Sequence, residues 1–169
     1  MARNLTLLTT SKEIRNFTAL KGAVDSDYIE PAIITAQDLG LAYVLGYKLM
    51  TKLQTEVHSG SVSSPYDDLL ETYVKPYLQH LAAAEVIDSL RIDLNNQGIL
   101  EKNSNQGTSV QVNEYNSIKA NLMRLSDSYK QLLIKHLCRY GNRYPEYYQD
   151  QDGRQQPSST QQYYGIDNW

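Results

Sequence analysis

Residues 69–90 read "LLETYVKPYLQHLAAAEVIDSL", and their apolar side chains recur every three or four positions. This spacing is typical of a helix with one buried face, which we predict to consist of Leu70, Val74, Tyr77, Leu81 and Ala84. A proline inside a helix removes a backbone donor and crowds the preceding turn, so we expect a kink or a split at Pro76. The small residues at 82–84 predict the close approach of a neighbouring helix.

The preceding segment, residues 26–57, also has a helical pattern. Leucines recur every fourth residue at Leu41, Leu45, Leu49 and Leu53. Asp25, Ser26 and Asp27 offer N-cap side chains, and Pro31 is tolerated in a first turn. We therefore predict one helix with a bend near Gly40. Upstream, Thr10 and Glu13 form a capping-box pattern that predicts a short helix with Ile14 and Phe17 on its apolar edge.

The last helix is predicted from Asn113 to about Tyr140, where Gly141 and Asn142 stop it. Its expected buried face consists of Ile118, Leu122, Leu125, Tyr129, Leu132 and His136. Before it, residues 95–112 are rich in Asn, Gln and Gly, and predict a protruding loop or short hairpin with extended pieces at 99–102 and 109–112. Such a loop either contacts a partner or is an ordinary surface connection.

These patterns together predict an all-α fold, a helical bundle of about four main helices. Residues 1–25 form an N-terminal segment with a short helix, and residues 26–144 form the bundle core. Residues 145–169 contain six glutamines and few aliphatic side chains, which predicts an extended C-terminal arm. The arm is either a solubilising tail or a partner-binding segment whose anchors are Tyr147, Tyr148, Tyr163, Tyr164 and Trp169, because aromatic side chains anchor interfaces.

Composition and charge exclude several classes of protein. The net charge of −3 gives no general attraction to nucleic acid or to an anionic membrane. The longest nearly apolar stretch, residues 39–50, contains Lys48 and is shorter than the roughly 20 residues that cross a bilayer. We therefore expect a soluble protein with no membrane partner. Cys138 is the only cysteine, which excludes an intrachain disulfide.

The sequence offers no set of residues for catalysis, a cofactor or a metal. His58, His80 and His136 lie in separate segments, without the spacing that places two metal ligands on one helical face. Cys138 and His136 are two residues apart on one helix and therefore point in different directions. We predict that Cys138 is a small buried thiol and not a nucleophile with His136 as its base. We predict a protein that is not an enzyme.

The last helix and its end are basic in an otherwise acidic chain. Six cations stand against Glu114 and Asp127: Lys119, Arg124, Lys130, Lys135, Arg139 and Arg143. This pattern is compatible with a solvated helix face. It is also compatible with a face that meets an acidic partner or lines a channel for DNA.

Four stretches occur in a fixed order along residues 5–150: "DYIEPAIITAQDLGLAYVLGYKLMTKL", "VKPYLQHLAAAEVIDSL", "NNQGILEK" and "GNRYPEYYQD". Their order and spacing resemble those of head-to-tail connector proteins of crAss-like Bacteroides-infecting phages. The resemblance implies an adaptor that forms a ring, a dodecamer, beneath the portal protein in the virion. A downstream tail or second ring protein and the passing genomic DNA are the other implied partners, with assembly in the host cytoplasm.

Two alternative functions are compatible with the same residues. The protein could act as a free-standing helical interaction module, or as a small DNA-binding regulator that uses its basic last helix.

Overall fold

A computed structural model describes residues 6–18, 20, 24–95, 98–101 and 112–149, and confirms the predicted all-α helical bundle. The helices are α1 Ser11–Phe17, α2 Ser26–Thr35, α3 Ala42–Leu45, α4 Tyr47–Ser59, α5 Tyr66–Leu69, α6 Lys75–Arg91, α7 Val112–Tyr140 and α8 Pro145–Gln149. π-helical turns at Ala36–Leu41 and Leu70–Val74 join α2 to α3 and α5 to α6, and a 3-10 turn at Gly141–Arg143 joins α7 to α8.

Helix α6 is the centre of the bundle. Ala82, Ala83 and Ala84 are all buried, although successive residues of a helix point about 100° apart. Neighbours must therefore cover α6 on more than one side, and the helices that pack against it include α1, α2 and α7. The burial of all three alanines is consistent with the predicted packing of a neighbouring helix there. Of the predicted buried face, Leu70, Val74, Tyr77 and Ala84 are buried and Leu81 is partly buried.

Pro76 lies in the first turn of α6, directly after the π-helical turn Leu70–Val74. A regular α-helix through this point would lack the hydrogen bond from residue 76 and would press the proline ring against the carbonyl four residues earlier. The wider turn relieves that conflict, since extra residues enter the helix just before the proline. The predicted interruption at Pro76 is confirmed as a π-helical turn.

The predicted single helix over 26–57 is wrong in one respect, because the chain also breaks at Gly46; around Gly40, where a bend was predicted, the α-helix changes to the π-helical turn Ala36–Leu41. Gly46 has φ 77° and ψ 163°, a conformation that only glycine adopts readily. Gly40 itself serves packing: a β-carbon there would lie 2.3 Å from Leu81 Cδ2 and 3.0 Å from the Tyr77 hydroxyl. The helix also starts early enough to place Pro31 in its interior, beyond the first turn.

The bounds of α7 match the prediction, but its buried face is rotated. Ile118 and Leu132, predicted to be buried, are 40% and 50% exposed. The face that packs on the bundle consists of Leu122, Ser126, Leu133, Ile134 and Leu137. Apolar side chains lie on more than one side of this helix, and the predicted stripe followed Leu125 and Leu132 where the packed face follows Leu133, Ile134 and Leu137. Phe17 of α1, predicted to be on the apolar edge, is likewise exposed.

Residues after α6 form a two-stranded antiparallel hairpin, β1 Ile92–Asn95 and β2 Gly98–Glu101. The prediction of an extended piece near 99–102 is close to β2, but its partner precedes it, since Asp93 pairs with Leu100. Helix α6 ends at Arg91 and β1 begins at Ile92. Val112, the last residue of the second predicted extended piece, is the first residue of α7. Most of the predicted second piece, 109–111, lies outside the described residues.

Buried glutamines fix the N-terminal segment on the bundle. The Leu8 amide donates to Gln37 Oε1 at 2.7 Å, and Gln79 Nε2 donates to Thr9 Oγ1 at 3.1 Å. The capping box of Thr10 and Glu13 then starts α1 as predicted. Because buried amides that lose their partners are costly, this part of the N-terminal segment is an integral part of the fold.

Candidate interaction surfaces

The chain that follows α7 packs back onto its own bundle. The Tyr66 hydroxyl donates to Glu146 Oε2 at 2.6 Å, and the Tyr66 and Tyr144 rings meet edge to face at 5.7 Å. Tyr147 is 6% exposed, and burial raises the pKa of its hydroxyl to about 12. Helix α8 therefore belongs to the bundle. The predicted arm boundary at residue 145 is too early, and Tyr147 is a core residue of its own chain and no free anchor.

Tyr148 also contacts its own bundle, through Gly141. A β-carbon at Gly141 would lie 2.6 Å from the Tyr148 hydroxyl, so the glycine makes room for this ring. Tyr148 is nevertheless 43% exposed, and one side of its ring is accessible to a partner. The other predicted anchors, Tyr163, Tyr164 and Trp169, lie outside the described residues.

His136 holds an aromatic cluster at the end of α7. Its ring stacks on Tyr73 at 4.2 Å, and its Nε2 lies 3.0 Å from the Tyr144 hydroxyl. Burial lowers the pKa of His136 from its ordinary 6.5, the positive charge of Arg143 lowers it further, and the carboxylate of Asp68 opposes them. The cluster is thus built around a neutral imidazole.

Acid should therefore weaken this cluster. The folded state binds a proton at His136 less readily than the unfolded state does. The contribution of the neutral His136 side chain to stability is therefore present above pH 6.5 and is lost as the pH falls below that value. We expect the melting temperature to fall in acid, and the fall to be smaller in His136→Phe, which keeps the ring and removes the titration. The exposed His58 supplies the control: His58→Gln should retain the full decline. Parallel pH profiles for wild type and His136→Phe would contradict this assignment.

The six cations predicted to form one face divide into two groups. Lys119 lies on the side of α7 that faces α6 and forms a surface ion pair with Asp88 at 2.5 Å, and Lys130 is half-buried. Arg124, Lys135 and Arg139 point outward within an arc of about 60°. Arg143 is also exposed, and its guanidinium and that of Arg139 lie 5.1 and 5.3 Å from the centre of the Tyr140 ring.

The outward group lies beside an apolar side chain. Leu132 is 50% exposed and is close to the same arc of α7. We call Arg124, Leu132, Lys135 and Arg139 the basic face. It combines positive charge with one exposed apolar side chain, and is compatible with an interface to an acidic surface as well as with a solvated helix.

A second exposed face lies on α2, the first π-helical turn, α3 and the start of α4. Leu39, Tyr43 and Tyr47 are 77%, 74% and 69% exposed; Leu39 lies in the π-helical turn, Tyr43 in α3, and Tyr47 begins α4 after the break at Gly46. The exposed carboxylates Asp27, Glu30 and Asp38 lie on the same segment. We call these six residues the acidic–aromatic face. Monomeric proteins rarely leave large apolar side chains clustered at the surface, so this face is a candidate interface.

Sequence reasoning missed the acidic–aromatic face, although a signal for it was present. The buried leucine stripe of residues 41–53 implies that the alternate positions point outward. Leu39, Tyr43 and Tyr47 occupy those positions, and all three are large and apolar or aromatic. A helix with apolar residues on both sides either sits in the middle of a core or has a partner.

Cys138 and the three histidines lie on α4, α6 and α7. Cys138 is exposed, which corrects the predicted small buried thiol. No group of three His, Cys, Asp or Glu side chains among the described residues is placed to hold a metal ion. None of the helices described has the length and apolar character needed to cross a bilayer.

The described residues thus form an all-α bundle with two outward faces of unlike charge. The chain belongs to DUF6712, a family of unknown function, whose family model matches residues 41–156. The match covers α3 to α8, and so includes Tyr43, Tyr47 and the whole basic face. No curated protein and no solved structure matches the chain.

Proposed function

We propose that the protein is a head-to-tail connector of a crAss-like phage, an adaptor that forms a ring beneath the portal and continues the DNA channel into the tail. The proposed ring is a dodecamer, with the portal protein on one side and a downstream tail or second ring protein on the other. Its place is the head–tail junction of the virion, after assembly in the host cytoplasm. The proposed role is mechanical and requires no catalytic residue.

One observation carries the proposal beyond the sequence resemblance. The residues of the acidic–aromatic face and of the basic face are exposed, and α2 and α7, which carry part of the first face and all of the second, both pack on α6 with little contact between them. A subunit of a ring needs two different faces that bind each other, because each copy contacts one neighbour on each side. Unlike charges on the two faces suit such a contact.

Mass measurement in solution tests the proposal. We expect sedimentation or native mass spectrometry of the purified chain, alone or mixed with the portal protein of the same phage, to detect a large closed oligomer. A chain that remains a monomer at every concentration, and neither binds nor assembles on the portal, would contradict the proposal.

The basic face supports one alternative, a small DNA-binding regulator. Arg124, Lys135 and Arg139 on one side of α7 could follow a phosphate backbone. In that case the protein should stay small and bind duplex DNA with an affinity that falls steeply with salt, at a log–log slope of about −0.9 for each phosphate contacted. A connector should show only weak, non-specific binding.

A further inference from the structure

Helix α6 places the two outward faces on different sides of the subunit. Both α2 and α7 pack along α6, but they make little contact with each other. The side of α2 that points away from α6 carries Asp27 and Glu30, and the side of α7 that points away carries Lys135 and Arg139. A neighbour that covers one face therefore leaves the other face accessible.

The two segments of the chain that supply these faces have opposite charge. Residues 24–48, which include the acidic–aromatic face, contain four carboxylates and one cation, whereas residues 112–143 contain six cations and two carboxylates. The apolar parts of the two faces also match in kind, since Leu39, Tyr43 and Tyr47 on one side can cover Leu132 on the other. Neither face suits a symmetric contact with its own copy, because like charges would then meet.

We infer that the acidic–aromatic face of one copy binds the basic face of the next copy, in a head-to-tail contact. The occupant of each face is thus a second copy of this chain. This contact repeats around a ring if its rotation closes, and it leaves the two ends of the bundle for other partners. The inference rests on the proposed ring and assigns its lateral interface to named residues.

Charge reversal on one face at a time tests the pairing. Asp27→Lys with Glu30→Lys makes both faces positive, and Lys135→Glu with Arg139→Glu makes both faces negative. Each double variant alone should lose assembly, with an association constant at least tenfold lower than that of the wild type. Raising the salt concentration should weaken wild-type assembly and lessen the repulsion in each variant.

Mixing the two variants is the decisive step. In an equimolar mixture each positive face can meet a negative face, so assembly should return with the two variants alternating. The control is Asp67→Lys with Asp68→Lys, which changes the net charge as much as the first variant does, at exposed carboxylates of α5 outside both faces. This control should assemble like the wild type, and all variants should keep wild-type melting temperatures to within a few degrees.

The outcomes separate this inference from the proposed function. Loss of assembly in each variant with recovery in the mixture supports the pairing. If the wild type assembles and the reversals have no effect, or if the mixture does not recover, the pairing is wrong while the connector function stands. If the wild type neither self-associates nor assembles on the portal, the proposed function fails, and the inference fails with it.

Discussion

Replacing Leu133 with alanine is expected to cost about 2–5 kcal/mol of unfolding free energy, because the truncation leaves a cavity where α7 packs on the bundle. Leu133 is 0% exposed, whereas Leu132 beside it is 50% exposed. Leu132→Ala therefore serves as a control in the same helical turn, and should change the stability by no more than about 0.5 kcal/mol. Urea denaturation measures both values, with the slope unchanged if the denatured state is unaffected.

Equal losses for the two leucines would contradict the register of α7 described above. A larger loss at Leu132 would restore the face predicted from the sequence, in which Ile118, Leu125 and Leu132 pointed inward.

Two truncations should separate the bundle from the arm. Ending the chain after Tyr144 removes the buried Tyr147 and the Glu146 partner of the Tyr66 hydroxyl, and should cost about 3–5 kcal/mol, the range for deletion of a large buried aromatic side chain. Ending it before residue 155 keeps all of α8 and should change the stability by no more than about 0.5 kcal/mol.

The same two chains test the function of the arm. If Tyr163, Tyr164 and Trp169 are anchors on another subunit or on the portal, the chain that ends before residue 155 should be stable and yet assemble poorly. Buried aromatic anchors commonly cost about 2 kcal/mol or more each when truncated. Normal assembly of this chain would assign the arm to solubility alone.

For the stability measurement, equal stability of the two truncated chains would show that α8 is not part of the core.

The sequence predicted much of the helical architecture because periodicity and capping act locally. The capping box at Thr10, the interruption at Pro76 and the end of α7 at Gly141 each depend on a few neighbouring residues. The buried residues at 70, 74, 77 and 84 were also predicted, since they follow the local helical period; for 77 and 84, α6 is covered on several sides and small errors of angle have little effect.

Features that depend on contacts distant in sequence were predicted less well. The role of Gly40 follows from Leu81 and Tyr77, and the burial of Tyr147 follows from elements that precede it by many residues. For Gly46 a local signal existed, but either glycine could have broken the helix, and only the packed structure distinguishes them. The pairing of β2 with β1 was missed because the helical pattern of α6 appeared to continue to Leu94.

The candidate surfaces were predicted only in part. The basic residues of α7 were recognised, but periodicity alone did not separate Lys119, which faces α6, and the half-buried Lys130 from outward Arg124, Lys135 and Arg139. The acidic–aromatic face was missed because an apolar residue on a helix is first assigned to the core. What binds this face depends on a second molecule. A single chain indicates such binding only through exposed apolar side chains and surface charge.

Electron microscopy of the full chain mixed with the portal protein of the same phage shows whether this chain is a connector. We expect a ring of this chain, coaxial with the portal and attached to one side of it, in which α7 of each copy faces α2–α4 of the next. Particles in which the chain is absent from the portal, or bound to it as separate monomers without lateral contact, would rule out the connector function.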